Sequence, residues 1–274
     1  MKNRKTAFQN VFPAALAACL LWAAGTAAAT AATREETVAA AKEVVKKHQD
    51  AVVTVKLTLE LTITMRGQER KQETTREAPG TVIDPSGLTV MPLSMVSPQG
   101  MMRGMRIKSN VIDAKLVQTD GKEIPGKVVM RDRDLDLAFF KPDAQKKEDG
   151  AEEAPRFPFL SMDKDVAPAP GLLDHVIVVG RMGRNLDRQT SVTLSSIAAI
   201  VKKPRTMYIA SGTQLGFPAF DASGKLTGIG VMHKSQTVIL PVSEITDAAA
   251  QAKNAGGNAE ETDNDEAKED KKEE

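Results

Sequence analysis

The chain has 274 residues, enough for one large domain or two small ones. Its formal net charge of +1 offers no bulk attraction for nucleic acid. Aromatic residues make up only 4%, so any β core has to be filled by Val, Ile and Leu.

Residues 1–32 read as a targeting segment, to be left out of fold reasoning. Lys2, Arg4 and Lys5 form a positive start, Phe12 to Ala24 is apolar, and Ala27-Ala28-Ala29 or Ala29-Thr30-Ala31 supplies a small-x-small cleavage pattern. The single cysteine, Cys19, lies inside it, so a cleaved chain has no disulfide, which fits a bacterial periplasm or secretion. A second reading takes Leu16-Ala17-Ala18-Cys19 as a lipobox, with Cys19 the lipidated N-terminus and a membrane attachment. Retention of the segment as an anchor is a third.

Thr33 to His48 reads as a helix. Thr33 and Glu36 make a capping box, Val38, Ala41 and Val45 share a face, and Lys46, Lys47 and His48 suit the negative helix end. Ala51 to Thr64 alternates Val, Leu and Ile with Thr, Lys and Glu, the period of a half-buried strand. Arg66 to Glu77 is charged and reads as a solvated loop, and Gly80 to Val96 contains the next strand. Met101, Met102 and Met105 follow Met91 and Met95. Such a cluster reads as gap filling, as a soft surface for apolar peptides, or as a thioether site for Cu(I). Asp120-Gly121 marks a hairpin between Val111–Thr119 and Glu123–Met130, and Leu135 to Lys141 is one more strand. Residues 142–156 are charged and read as a linker, so residues 33–141 and 157–246 form two units. Residues 247–274 read as a disordered charged tail, with a short helix open over Asp247 to Gln251.

Three segments in this order carry a resemblance. The first is Gly80-Thr81-Val82-Ile83-Asp84-Pro85-Ser86-Gly87, running to Met91-Pro92-Leu93-Ser94-Met95-Val96; the second is Asp134-Leu135-Asp136-Leu137-Ala138-Phe139-Phe140-Lys141; the third is Ser211-Gly212-Thr213-Gln214-Leu215-Gly216-Phe217-Pro218-Ala219-Phe220-Asp221. Together they resemble the histidine, aspartate and nucleophile segments of the trypsin-like serine proteases, of the bacterial HtrA (Deg) type. Asp174–Gly183, Gln189–Ala198 and Val238–Val242 are similar to strands of that family's second barrel. The resemblance implies an all-β fold, a trypsin-like double β-barrel of two six-stranded antiparallel Greek-key barrels with a short N-terminal helix. The PDZ domain that the family often carries is not expected in the residues after Ile245.

By the same resemblance the histidine column falls on Ser94, the aspartate on Asp136 and the nucleophile on Leu215. The oxyanion loop falls on Thr213, Gln214 and Gly216. A serine protease needs a hydroxyl, an imidazole and an orienting carboxylate together; only the carboxylate is in place. Asp136 is then expected to be bonded by Ser94 Oγ, by backbone N–H groups or by water, because an unpaired buried charge is costly. His175 and His233 read as strand-end histidines, and Ser211 is the nearest hydroxyl to Leu215. Lys202, Lys203 and Lys234 read as solvated charges, with a Ser–Lys dyad left open.

The expectation is an exported, catalytically inactive pseudoprotease. It would bind a peptide or protein partner at the old cleft, with Met101, Met102, Met105 and Phe217 as candidate contact residues. No cofactor, metal or nucleic acid is expected. The alternatives are an active endopeptidase with a rearranged site and a structural envelope protein.

Overall fold

In the computed structural model the described residues are 35–65, 67–97, 105–146, 152–153 and 156–255. The expected targeting segment with Cys19, the candidate contacts Met101 and Met102, and residues 256–274 lie outside them; Met105 is described only as the first residue of a strand.

After a helix over residues 35–48 (α1) come the strands β1 (Val52–Met65), β2 (Gln68–Val82) and β3 (Thr89–Pro92). A single helical turn, α2 (Leu93–Val96), leads to β4 (Met105–Val117), β5 (Glu123–Asp132) and β6 (Leu137–Pro142). These six strands close a barrel in the order β1-β2-β3-β6-β5-β4. A short ribbon, β7 (Gln145–Lys146) with β8 (Glu152–Glu153), stands between the barrels. The second barrel comprises β9 (His175–Arg181), β10 (Thr190–Val201), β11 (Met207–Ala210), β12 (Pro218–Asp221), β13 (Leu226–His233) and β14 (Gln236–Pro241). It closes in the order β10-β11-β14-β13-β12-β9, and helix α3 (Val242–Asn254) follows. Every named pairing within the barrels is antiparallel.

The sequence pattern accounts for most of this. Alternation along β1 places Val53, Val55, Leu57 and Leu59 in the first core with Met91, Leu116 and Phe140. The second core gathers Ile177, Val179, Ile197, Phe220, Ile229 and Ile239. Full burial of one such side chain contributes about 1.5–3 kcal/mol, so Val, Ile and Leu carry most of the load that aromatics carry elsewhere. The β4–β5 hairpin turns where Asp120-Gly121 predicts it, with Gly121 at φ +84°.

Three expectations need correction. Residues 66–77 are not a solvated loop. Residues 68–77 belong to β2, paired residue for residue with β1 from Met65↔Gln68 to Val52↔Thr81. Charge on both faces hides a strand from a hydrophobic pattern, and here the backbone ladder supplies the order. The tail does not begin at 247, because α3 runs to Asn254 and buries Ala248, Ala249 and Ala252. Small alanines at helical spacing let the helix lie close on the barrels. The buried seam of α1 is Ala41, Val44 and His48, while Val38 is exposed.

The barrels are tied by polar contacts as well as by packing. The Arg181 guanidinium on β9 donates to the carbonyls of Val52 and Gln49, and Arg188 pairs with Glu77. From the far end, Lys253 on α3 reaches Asp84 of the first barrel at 2.6 Å. Burial pushes the Asp84 carboxyl up, yet the Lys253 and Ser86 hydrogen bonds hold it below its ordinary value.

Candidate functional site

The two barrels meet at Asp136. A turn over residues 132–136 is organised by Asp132, whose Oδ1 accepts from the backbone N–H groups of Asp134 and Leu135. It ends with Asp136 in the left-handed region at φ +56°, which Asp tolerates better than most residues. That conformation aims both polar ends of Asp136 at α2. The helix starts after Pro92, which has no side-chain acceptor to cap it. Asp136 supplies the missing acceptors from outside: its carbonyl takes the Leu93 N–H at 2.9 Å, and its Oδ1 takes the Ser94 N–H at 2.8 Å.

Its second carboxylate oxygen accepts from Ser94 Oγ at 3.2 Å and from the Met232 N–H at 2.8 Å. Met232 lies on β13, so one carboxylate bonds both barrels. Burial raises the Asp136 pKa above its ordinary value, and the Met232 and Ser94 donors pull it only part of the way back. The arrangement orients and rivets: Ser94 stands where the resemblance puts the histidine, and its hydroxyl donates to the carboxylate.

Across the junction runs the loop from Ser211 to Phe217. Gly212 and Gly216 take the positive φ values, +74° and +76°; Thr213 does not. The Thr213 hydroxyl donates back to the Ala210 carbonyl at 2.9 Å, and its N–H turns toward the same atom. Gly216 donates to Gly230 at 2.7 Å and accepts from the buried hydroxyl of Thr81 at 2.8 Å. A Cβ at Gly216 would stand 2.4 Å from the Pro79 carbonyl, and one at Gly230 would stand 1.9 Å from the Gln214 carbonyl. The loop is thus pressed between both barrels by glycines that only a bare backbone can satisfy. Leu215 is half-buried in it and Gln214 is exposed.

Phe217 must be withdrawn as a groove-lining contact. It is 5% exposed, belongs to the second core, and packs over Gly180, where a Cβ would meet its ring at 2.8 Å. The small Gly180 opposite it lets the ring turn inward, and burial of a whole Phe outweighs exposure at a cleft.

The three histidines take three different environments, and none of them hydrogen-bonds Asp136 among the described residues. His175 faces Ser196 across the β9–β10 ladder, with Nδ1 3.3 Å from Oγ on the exposed sheet surface. His233 follows Met232 on β13, and successive strand residues point to opposite faces. His48 is buried and stacks on Phe220, with ring centroids 4.9 Å apart and planes 16° from parallel. Ser211 Oγ bonds Ser195 Oγ at 2.8 Å. Lys202, Lys203 and Lys234 are exposed. Among the described residues no group of three or more His, Cys, Asp or Glu stands close enough to hold a metal ion.

Two features escape the motif comparison. Met232 contributes through its backbone, which no side-chain pattern reveals. Gly228 and Gly230 inside a strand do carry a readable signal, since strand glycines mark a close backbone approach. The sequence profile described as Trypsin-like peptidase domain matches residues 25–229, about three quarters of the chain. No curated protein matches the chain.

Proposed function

The chain belongs to the trypsin-like peptidase domain family, and we propose that it is a catalytically inert, HtrA-like member that binds an extended peptide or partner protein near the old cleft. The observation that carries this reading is the hydrogen bonding of Asp136. The carboxylate that would orient an imidazole is instead engaged by Ser94 N–H, Ser94 O–H and Met232 N–H. With Leu215 in the nucleophile column, neither a base nor an attacking atom is at hand. The reading includes export, which rests on the amino-terminal pattern of charge, apolar run and small residues.

What supports binding over a purely structural role is the rigidity of the loop. Thr81, Pro79 and Pro92 from the first barrel, with Gly230 from the second, hold residues 213–216 in place. A preformed surface loses less entropy on binding than a mobile one. The test is fluorescence anisotropy of labelled, unfolded apolar peptides with the chain from Thr33 onward. Saturable binding that is abolished by Leu215→Arg, with the fold intact by circular dichroism, supports the reading. Absence of binding for every peptide class, or binding indifferent to Leu215→Arg, removes the cleft as the binding surface.

The second reading is a displaced hydrolase site at Ser196–His175, favoured by one observation, the 3.3 Å contact between a hydroxyl and a ring nitrogen. Against it stands the exposure of the pair on the sheet surface.

A further inference from the structure

Strand β2 is paired with β1 along almost its whole length, but β3 meets it only at Thr81 and Val82. Close to the barrels its outer edge is covered in other ways. Gly216 presses on the Pro79 carbonyl, and Arg188 reaches Glu77. Further out, along residues 68–76, no strand among the described residues lies on that edge, and only Thr74 is even half-buried. A row of free backbone N–H and C=O groups of this kind is a template for another chain.

The charges beside this edge are unevenly matched. Glu60 and Glu73 stand directly opposite each other in the β1–β2 ladder, and like charges so placed repel. Lys71 bonds Glu60 at 3.1 Å, while Glu73 has no cation partner among the described residues. The Lys71 side chain is 66% exposed, and an ammonium group with three donors can take a second carboxylate.

We propose that residues 68–76 are a dimerisation edge, on which β2 of one copy pairs antiparallel with β2 of a second copy, centred on Gln72. A two-fold axis through such a pair keeps the same sheet face up in both copies. A residue can then oppose only itself or one an even number of positions away, which is also the condition for outward-facing backbone groups to meet. Centred on Lys71, the pairing sets Glu69 on Glu73 and Lys71 on itself. Centred on Glu73, it sets Arg70 on Arg76 and Glu73 on itself. Centred on Gln72, it opposes no like charges: Gln68 lies on Arg76, Glu69 on Thr75, Arg70 on Thr74 and Lys71 on Glu73, and each of these pairs forms twice. Larger shifts shorten the ladder. Charges ordinarily guard an edge against chance pairing; here they close the two neighbouring registers and leave the one that gives Glu73 its cation. The edge lies apart from the loop over residues 211–217, and the proposal does not rest on the cleft reading.

The test is sedimentation of the full chain over a range of concentrations, with two charge reversals. The edge predicts a dimer that dissociates on dilution. Lys71→Glu sets acid against Glu73, and Glu73→Lys sets base against Lys71, so each variant alone should dimerise about tenfold more weakly or worse. An equimolar mixture of the two variants should dimerise again, because every opposed pair across the edge then carries opposite charges. Recovery in the mixture also shows that neither variant has lost its fold. A chain that stays monomeric at every concentration overturns the proposal. So does a dimer that neither reversal weakens, which would use another surface, and so does a mixture no better than its components, which would remove the register centred on Gln72.

Discussion

Asp136 and His48 are both withdrawn from solvent, and the chain treats them in opposite ways. Asp136 sits where two barrels and a helix start converge, and three donors face its carboxylate. His48 sits in an apolar seam, stacked on Phe220, with Nε2 unbonded. The difference shows what each fold position demands. A turn that presents a carboxylate to free N–H groups keeps its Asp for structural reasons, whether or not an imidazole is beside it. Survival of Asp136 is therefore no sign of surviving catalysis. A buried imidazole with no partner persists because its neutral form is cheap to bury and its ring packs well on an aromatic face.

Breaking the apolar side of this comparison should have the largest effect. Phe220 is 1% exposed and carries the His48 stack. Phe220→Ala should lower unfolding free energy by about 3–5 kcal/mol, read by urea denaturation, and should loosen α1 first in hydrogen exchange. Next comes the loop beside Asp136. Gly216→Ala combines a left-handed φ with a Cβ 2.4 Å from a carbonyl oxygen. A loss of about 3 kcal/mol is expected; an unchanged midpoint would mean that the loop is not pressed against Pro79.

Asp136 itself should show a graded response. Asp136→Ala leaves the Ser94 and Met232 N–H groups without their acceptor and puts a less tolerant residue at φ +56°. Its cost should be about 2–3 kcal/mol. Asp136→Asn keeps one acceptor oxygen and the conformational tolerance, so its cost should be about 1–2 kcal/mol. Equal costs for the two would remove the hydrogen-bond account of why Asp is there.

The smallest expected effects are in pH dependence, where the same cause gives opposite slopes. Burial lowers the His48 pKa, helped by Lys47 and opposed by Asp165. The unfolded chain then binds the proton more readily, so the His48 part of stability is present above about pH 6.5 and is lost as pH falls through it. Burial raises the Asp136 pKa above 3.8. The folded chain binds that proton more readily, so its part of stability grows as pH falls toward the unfolded value. His48→Phe should flatten the stability profile between neutral pH and about pH 5, and Asp136→Asn should change it only at lower pH. Unchanged profiles in both variants would mean that neither group is desolvated as described.

Much of the architecture was legible because alternation in β1, the Asp120-Gly121 turn and the ordered motif segments are local signals. The charged strand β2 is not legible, because its burial is slight at the outer end and its order comes from pairing with β1. At the site, Ser94, Asp136 and Leu215 could be placed by motif, and the structure brings Ser94 onto Asp136. Phe217 reads as a cleft residue in the sequence because nothing there shows that Gly180 leaves it an interior slot. His48 reads as a helix-end residue because its ring stacks on Phe220, 172 positions away in the chain and adjacent only in the folded state.

The most direct test of inertness is to expose the purified chain from Thr33 onward to a fluorophosphonate probe and weigh it intact, with unfolded casein digestion run in parallel. The account predicts no adduct and no cleavage above a blank, because no described base faces a nucleophile at Asp136. Stoichiometric labelling would contradict it, and mapping the adduct, to Ser196 beside His175 for example, would locate a working site elsewhere.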